Sequence, residues 1–292
     1  MKKFHLLVVF WLLHSGFFAQ GKRIKWENFN NRSNWNSNRL EAQVGFCATQ
    51  FTGDLGGASG PGIDFSTKDM NPQATGKGVQ AGFKFRFNRY FATKTELSYF
   101  ELKGSDAYTD NPRRHARNLS FQSYNFEFSQ RLEFIFLAQE FNGKFYRLTS
   151  KTRQKGSNFQ LYTFGGMGFA TYNPKANYNG TLVALRPLKT EGQDYGKATF
   201  IMPFGFGMRF GLTKQTRIGF EATCFKTFTD YMDDVSGFYP ALGSLSDPAA
   251  QYLSNPSKSP ELFPPGSRRG DLNQKDTYYR LSVSLIFNLK RR

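Results

Sequence analysis

Apolar and polar positions alternate through residues 275–289. Tyr279, Leu281, Val283, Leu285, Phe287 and Leu289 are apolar, and between them Tyr278, Arg280, Ser282, Ser284 and Asn288 are mostly polar. A period of two describes a strand with one greasy and one wet face. The same rhythm recurs upstream. Ala42, Val44, Phe46 and Ala48 alternate with Glu41, Gln43, Gly45, Cys47 and Thr49; Val79, Ala81, Phe83, Phe85 and Phe87 alternate with Gly78, Gln80, Gly82, Lys84 and Arg86. In residues 91–102, Thr95, Leu97 and Tyr99 oppose Lys94, Glu96 and Ser98. In 119–136, Tyr124, Phe126, Phe128, Leu132 and Phe134 oppose Asn125, Glu127, Ser129, Arg131 and Glu133. Phe200 to Leu212 sets Phe204, Phe206, Met208 and Phe210 against Gly205, Gly207, Arg209 and Gly211. Pro203 cannot donate to a ladder, so a bulge is expected there. Next, Ile218, Phe220, Ala222 and Cys224 oppose Arg217, Glu221 and Thr223. Only 159–172 is ambiguous, since Tyr162, Phe164 and Ala170 contend with Leu161, Met167 and Phe169 for the apolar face.

Eight strands result. The connections after the second and sixth are short, and those after the first, third, fifth and seventh are long. This is the asymmetry of outer-membrane barrels, with short periplasmic turns and long outer loops. The pattern predicts an all-β fold: an antiparallel transmembrane β-barrel of eight strands with long outer loops. One connection breaks the rule: residues 137–158 belong at the short-turn end yet are long, and carry Lys144, Arg147, Lys151, Arg153 and Lys155. A Lys or Arg facing lipid at mid-depth costs roughly 2–4 kcal/mol. The face holding Lys84 and Arg86 is therefore the lumen, and a one-residue slip is disfavoured. Eight strands enclose an interior just filled by side chains. Lys84, Arg86, Lys94, Glu96, Glu127, Arg131, Glu133, Arg209, Arg217, Glu221 and Arg280 are expected to pair there into a plug, which argues against a diffusion pore.

Composition agrees. The chain has 292 residues with Phe 33, Tyr 14 and Gly 28, and its mean hydropathy is only -0.53. No apolar run reaches the 18 or so residues of a spanning helix. Lys2 and Lys3 followed by an apolar run from Phe4 to Leu13 predict a signal peptide over residues 1–19. A polar periplasmic tether with Trp26 and Trp35 then covers 20–39, and the barrel covers 40–292. Loss of Lys2 and Lys3 lowers the formal charge from +17 to +15. For an exported chain this suggests anionic lipid headgroups or an acidic partner, and not nucleic acid. Cys47 and Cys224 fall on opposite faces, so two free thiols are expected.

Catalytic chemistry is sparse. His5 and His14 lie in the signal peptide, which leaves His115, beside Arg113 and Arg114 in an outer loop. A lipid-modifying barrel would need it as a base near Ser105 or Ser120. An exposed loop histidine is the simpler reading. Asp230, Asp233 and Asp234 suggest a hard cation such as calcium. Their spacing is not that of an EF-hand, and pairing with Arg268, Arg269 and local backbone accounts for them. No catalytic residue, metal or cofactor is expected. A stand-alone structural or small-ligand barrel is the remaining alternative.

The segment Phe51-Thr52-Gly53-Asp54-Leu55 resembles the aromatic-x-Gly-Asp-Leu signature of a Bacteroidota family of outer-membrane β-barrel proteins that includes the type IX secretion component PorG. Asp230, Tyr231, Asp233 and Asp234, then Tyr239, Arg269 and Gly270, are similar to that family's last outer loop, and Lys275-Asp276-Thr277-Tyr278 leads into the last strand as it does there. The resemblance implies a non-enzymatic protein of the cell outer membrane that contacts a periplasmic ring of PorK and PorN type. Lys144, Arg147, Lys151, Arg153 and Lys155, with Trp26 and Trp35, are the expected partner-binding residues. The tail Lys290-Arg291-Arg292 departs from the usual barrel ending.

Overall fold

Strand pairing closes on itself. The structure, a computed structural model, describes residues 39–55, 70–88, 90–109, 111–140, 144–147, 159–212, 215–241, 243–271 and 274–289. The signal segment, Trp26, Trp35, Lys151, Arg153 and Lys155 lie outside these residues, as does the tail, and at Lys144 and Arg147 only the backbone is described. The barrel strands are β1 (Leu40–Thr52), β2 (Gly76–Arg86), β3 (Phe91–Ser105), β4 (Ser120–Glu140), β6 (Phe159–Thr171), β9 (Ala198–Gly211), β10 (Thr216–Thr227) and β11 (Thr277–Asn288). Each pairs antiparallel with its neighbour. The ring closes where β1 meets β11, with Val44 opposite Leu285, and where β3 meets β4. This is the expected closed, eight-strand barrel, each of whose eight strands is paired on both sides.

The register is the one that the charges dictate. Arg86, Arg131, Arg209, Arg280, Lys84 and Lys94 are fully enclosed, whereas Phe46 is 76% exposed, Leu281 65% and Phe206 63%. The apolar residues form an outward belt, and the polar set fills the inside. The ambiguous strand is settled: in β6 Tyr162, Phe164 and Ala170 point inward while Met167 and Phe169 point out. Both cysteines are free and buried.

Three details differ from the sequence pattern. At Pro203 the β6–β9 ladder lapses between Gly165↔Phe204 and Gly168↔Ile201 without changing register, so there is no bulge. The missing N–H breaks pairing without inserting a residue. The register shift lies instead in β4, between Ile135 and Leu137. β4 also runs on to Glu140, and β5 (Lys144–Arg147) folds back against it, so part of the long connection is an extended hairpin.

The outer loops after β3, β6 and β10 carry elements of their own. The second holds α1 (Pro112–Arg117); Asn111 caps it by accepting from the Arg113 and Arg114 N–H groups, and Asn118 ends it in the left-handed region. The third carries the hairpin β7 (Lys175–Tyr178) and β8 (Thr181–Ala184), then α2 (Leu185–Leu188). The fourth contains α3 (Pro248–Ser254), capped by Asp247. An apolar core including Phe51, Leu55, Leu119, Phe121, Met232 and Val235 binds these loops to the top of the lumen.

Candidate functional site: a locked lumen and its outer cap

At the short-turn end, Glu41 lies 2.5 Å from the Lys84 ammonium and 2.8 Å from Arg217. Higher up, Arg209 reaches Glu133 at 2.6 Å and sits with its guanidinium carbon 3.7 Å from the centre of the Tyr162 ring. A central cluster follows: Glu221 takes Lys94 at 2.6 Å and the Tyr162 hydroxyl at 2.6 Å, and Glu96 takes Arg131 at 2.7 Å and Arg280 at 2.6 Å. Glu127 accepts from the Tyr278 hydroxyl at 2.7 Å. Tyr278 stacks on Phe225 with centroids 4.5 Å apart, forming an aromatic layer above the charges. Gly207 makes room for this packing, since a Cβ there would sit 2.4 Å from the Tyr162 ring. Every inward charge named from the sequence is buried.

Above the aromatic layer the motif residues converge. Phe51 packs edge-on against Phe121 at 4.9 Å, and Gly53 lies against Phe51 and Asp276. Asp54 accepts the Asp271 N–H at 2.8 Å, and a Cβ on Gly270 would collide with its carboxylate. The family-like segments after β1 and before β11 are therefore one contact. Leu55 is buried in the cap core. Tyr231 stacks on Tyr195 at 4.8 Å. Asp230 accepts from the Ser236 hydroxyl at 2.5 Å, and Asp233 from the Val235 N–H at 3.0 Å. Asp234, at φ 70, accepts from the Tyr195 hydroxyl at 2.5 Å and from Thr190.

Arg269 is the centre of the fourth loop. It donates to Glu191 at 3.0 Å, to the Asp234 carbonyl at 2.6 Å and to the Ser254 carbonyl at 3.1 Å, and lies 3.8 Å from the Asp234 carboxylate. The expected pairing of the aspartates with Arg269 holds for Asp234. Arg268 instead pairs with Asp271 at 3.0 Å, because it points to solvent on the other side of the turn. The sequence pattern missed Arg117, which holds Asp106 at 2.7 Å and the Asp54 carbonyl at 2.6 Å, and missed Glu191. Only their place beside turn residues marked them. His115 is exposed on α1, and Ser105 accepts from the Ala107 N–H at 3.2 Å.

The cap is electrostatically uneven. Burial raises the Asp230 carboxyl to about 7, and burial raises Asp54 and Asp234 each to about 6. Asp233 is pushed well above the usual range by burial first and then by Asp276, Asp54 and Asp230, and Asp276 by burial first and then by Asp230 and Asp54. Among the described residues no three acidic, histidine or cysteine side chains are arranged to hold a metal ion.

These features define a closed eight-strand barrel with an apolar exterior, an ion-paired interior and a folded outer cap. The chain belongs to the family described as a domain of unknown function, DUF6089, whose profile matches residues 41–245. No curated protein matches it. Among solved structures it is similar to Ail of Yersinia pestis (10% identity, covering 85% of this chain and 98% of Ail, TM-score 0.35). It is also similar to neisserial surface protein A (7%, 86% and 97%, TM-score 0.37) and to the N-terminal β-barrel domain of Pseudomonas aeruginosa OprF (8%, 85% and 97%, TM-score 0.32). The barrel assignment rests on this chain's own strand pairing.

Proposed function

We propose that this chain is a non-enzymatic barrel of the outer membrane that anchors or organises a periplasmic assembly, in the manner of a PorG-like component of type IX secretion. The filled lumen carries the reading. Lys94, Arg131 and Arg280 are tied across the interior to Glu96 and Glu221 under an aromatic layer. With the interior spent on itself, function falls to the two ends. The outward belt of Phe46, Phe83, Phe206 and Leu281 would be an untenable patch in water and suits the lipid of a bilayer. β4 and β5 extend from the short-turn end, the side on which β1 begins and β11 ends. The connection bearing Lys144, Arg147, Lys151, Arg153 and Lys155 leaves from there, where a PorK- or PorN-like ring would be met, with Trp26 and Trp35 of the tether nearby in sequence to β1.

The test is a pull-down of tagged protein from outer membranes in mild detergent, comparing wild type with a variant carrying all five basic residues as Gln. Ring proteins should accompany wild type and be depleted at least tenfold in the variant. Wild type recovered alone, or ring proteins recovered equally with both, would refute the assembly role or its assignment to this connection.

A further inference from the structure

The outward wall of the barrel is not evenly convex. From β11 to β4 it carries a groove of about 520 Å³, lined by Val283, Phe46, Val79, Ala81, Tyr99 and Phe126 among others. Gln80, Ser98 and Ser284 also border it, but their side chains are buried toward the lumen, so the surface the groove offers is apolar. The register explains its course. Val283 is opposite Phe46, Phe46 opposite Val79, Val79 opposite Tyr99, and Tyr99 opposite Phe126. The groove thus follows a single row of partners across five strands. Such rows climb. One that leaves β1 at Leu40 toward β2 passes round the ring and returns to β1 at Gln50, ten positions nearer the outer loops. The β4 end of the groove is therefore its outer end.

At that end the chemistry changes. Tyr99 stacks on Tyr124 with centroids 6.1 Å apart, an amphipathic pair of the kind that marks a membrane–water boundary. Beyond it Lys103 is opposite Gln122, and Gln122 is opposite Lys175. Partners across a ladder face the same way, and all three side chains are part-exposed on the exterior. Neighbouring strands lie about 4.8 Å apart, so the backbones carrying the two lysines are roughly 10 Å apart and their long side chains can converge on one anion. Lys77 adds a third exposed charge, two positions above Val79 on β2. The carboxylate among them is Glu101, which Lys103 holds at 2.9 Å and to which Gln122 also donates.

We infer that the groove and this lysine row together seat one lipid of the outer leaflet whose head carries a phosphate. An acyl chain lies in the groove, and the phosphate sits between Lys103 and Lys175 with Lys77 at its flank. The juxtaposition selects this chemistry. The cations stand at the outer end of an apolar channel, where the head of a lipid passes from hydrocarbon to water, and three of them face one carboxylate that is already held. A phosphate offers several acceptor oxygens to such a set. A chainless phosphate would leave the groove empty, and a zwitterionic head would bring its own cation to the lysines. The volume fits too: roughly 150 Å³ of apolar cavity admits benzene, so this groove has room for a dozen or more carbons. The inference rests on the barrel standing in an outer membrane and does not depend on which assembly it serves, so loss of the ring proteins in the pull-down would leave it untouched.

The full-length protein in dodecyl maltoside is titrated with dioleoyl phosphatidate, dioleoyl phosphatidylcholine, dioleoylglycerol and glycerol 3-phosphate, and the bound molecules are counted by native mass spectrometry. Phosphatidate should fill one site at least tenfold more tightly than the other three. Lys175→Gln should weaken it at least tenfold, and Lys175→Arg should keep it. Ala81→Phe, which fills the groove between Val44 and Leu97 with the lysines intact, should also weaken it at least tenfold. Lys197→Gln, which removes an exposed lysine on the β9 side of the barrel, should leave the affinity unchanged. All variants must keep heat-modifiable gel mobility, the mark of an intact barrel. The inference is overturned if either other lipid binds as tightly, which would make the groove ordinary boundary surface, or if glycerol 3-phosphate does, which would make the row a site for free phosphate. It is equally overturned if Lys175→Gln or Ala81→Phe binds phosphatidate undiminished, or if Lys197→Gln weakens it as much as Lys175→Gln.

Discussion

Arg117, at the end of α1, donates through Nη1 to the backbone carbonyl of Arg269, 152 positions later in the chain. Through that one bond the two guanidinium groups become a single clamp. Arg117 gathers Asp106 and the Asp54 carbonyl, while Arg269 gathers Glu191, Asp234 and the last turn of α3. All four outer loops meet there. The cap is therefore held by charge-assisted bonds to backbone carbonyls as much as by its apolar core.

Replacing Arg117 with Met should open the cap and spare the barrel. Asp106, which also accepts the Leu119 N–H at 3.1 Å, would lose its buried guanidinium. Breaking such a pair costs about 3–5 kcal/mol. Hydrogen exchange at Leu119, Gly270 and Asp271 should accelerate at least a hundredfold, with amides of β1 and β11 unchanged. Exchange that accelerates equally in cap and barrel would mean the two are one cooperative unit.

The lumen predicts an asymmetry between single and paired changes. Arg209→Met should destabilise the barrel by about 3–5 kcal/mol in denaturant unfolding from vesicles, because Glu133 would remain buried without its cation. Adding Glu133→Leu should recover much of the loss, since an apolar pair of similar volume is often neutral. A double variant no more stable than the single one would show that Arg209 acts mainly through Tyr162 and Glu221.

The closed lumen also bears on conduction. Wild-type protein in a planar bilayer should give no steady conductance steps. Opening the central cluster with Glu221→Ala, which removes the acceptor shared by Lys94 and Tyr162, should admit small, flickering currents. Steady wild-type steps would contradict the locked interior.

What could be read beforehand follows from where the physics is local. Lys84 and Arg86 fixed a register because charge on the lipid face is costly, and alternation carries that cost along a whole strand. In β6 the signal faded at Gly165, Gly166 and Gly168, which have no side chain to declare a face. The motif residues Asp54 and Gly270 could be recognised, but not their contact: the bond from the Asp271 N–H to Asp54 spans 217 positions. Arg268 and Arg269 are neighbours in an aperiodic loop, so nothing in the sequence said which would turn inward. Arg117 and Glu191 looked like ordinary loop charges for the same reason.

Acidification should tighten the cap. Asp54, Asp230, Asp233 and Asp276 disfavour one another's charge. Arg117 and Arg114 act on Asp54, Lys275 on Asp230, Lys226 on Asp276, and Arg269 on Asp234 beside Glu191. In an opened cap each aspartate returns to about 3.9. In the closed cap Asp230 stands at about 7 and Asp54 and Asp234 at about 6. The closed form thus binds more protons above about pH 4, and its stability falls as pH rises through 6 and 7, with Asp233 and Asp276 carrying the fall higher. Limited proteolysis of the cap in liposomes should be slower at pH 5 than at pH 8, and Asp230→Asn should flatten the dependence. Faster cleavage at pH 5 would reverse the sign and refute the carboxylates' burial.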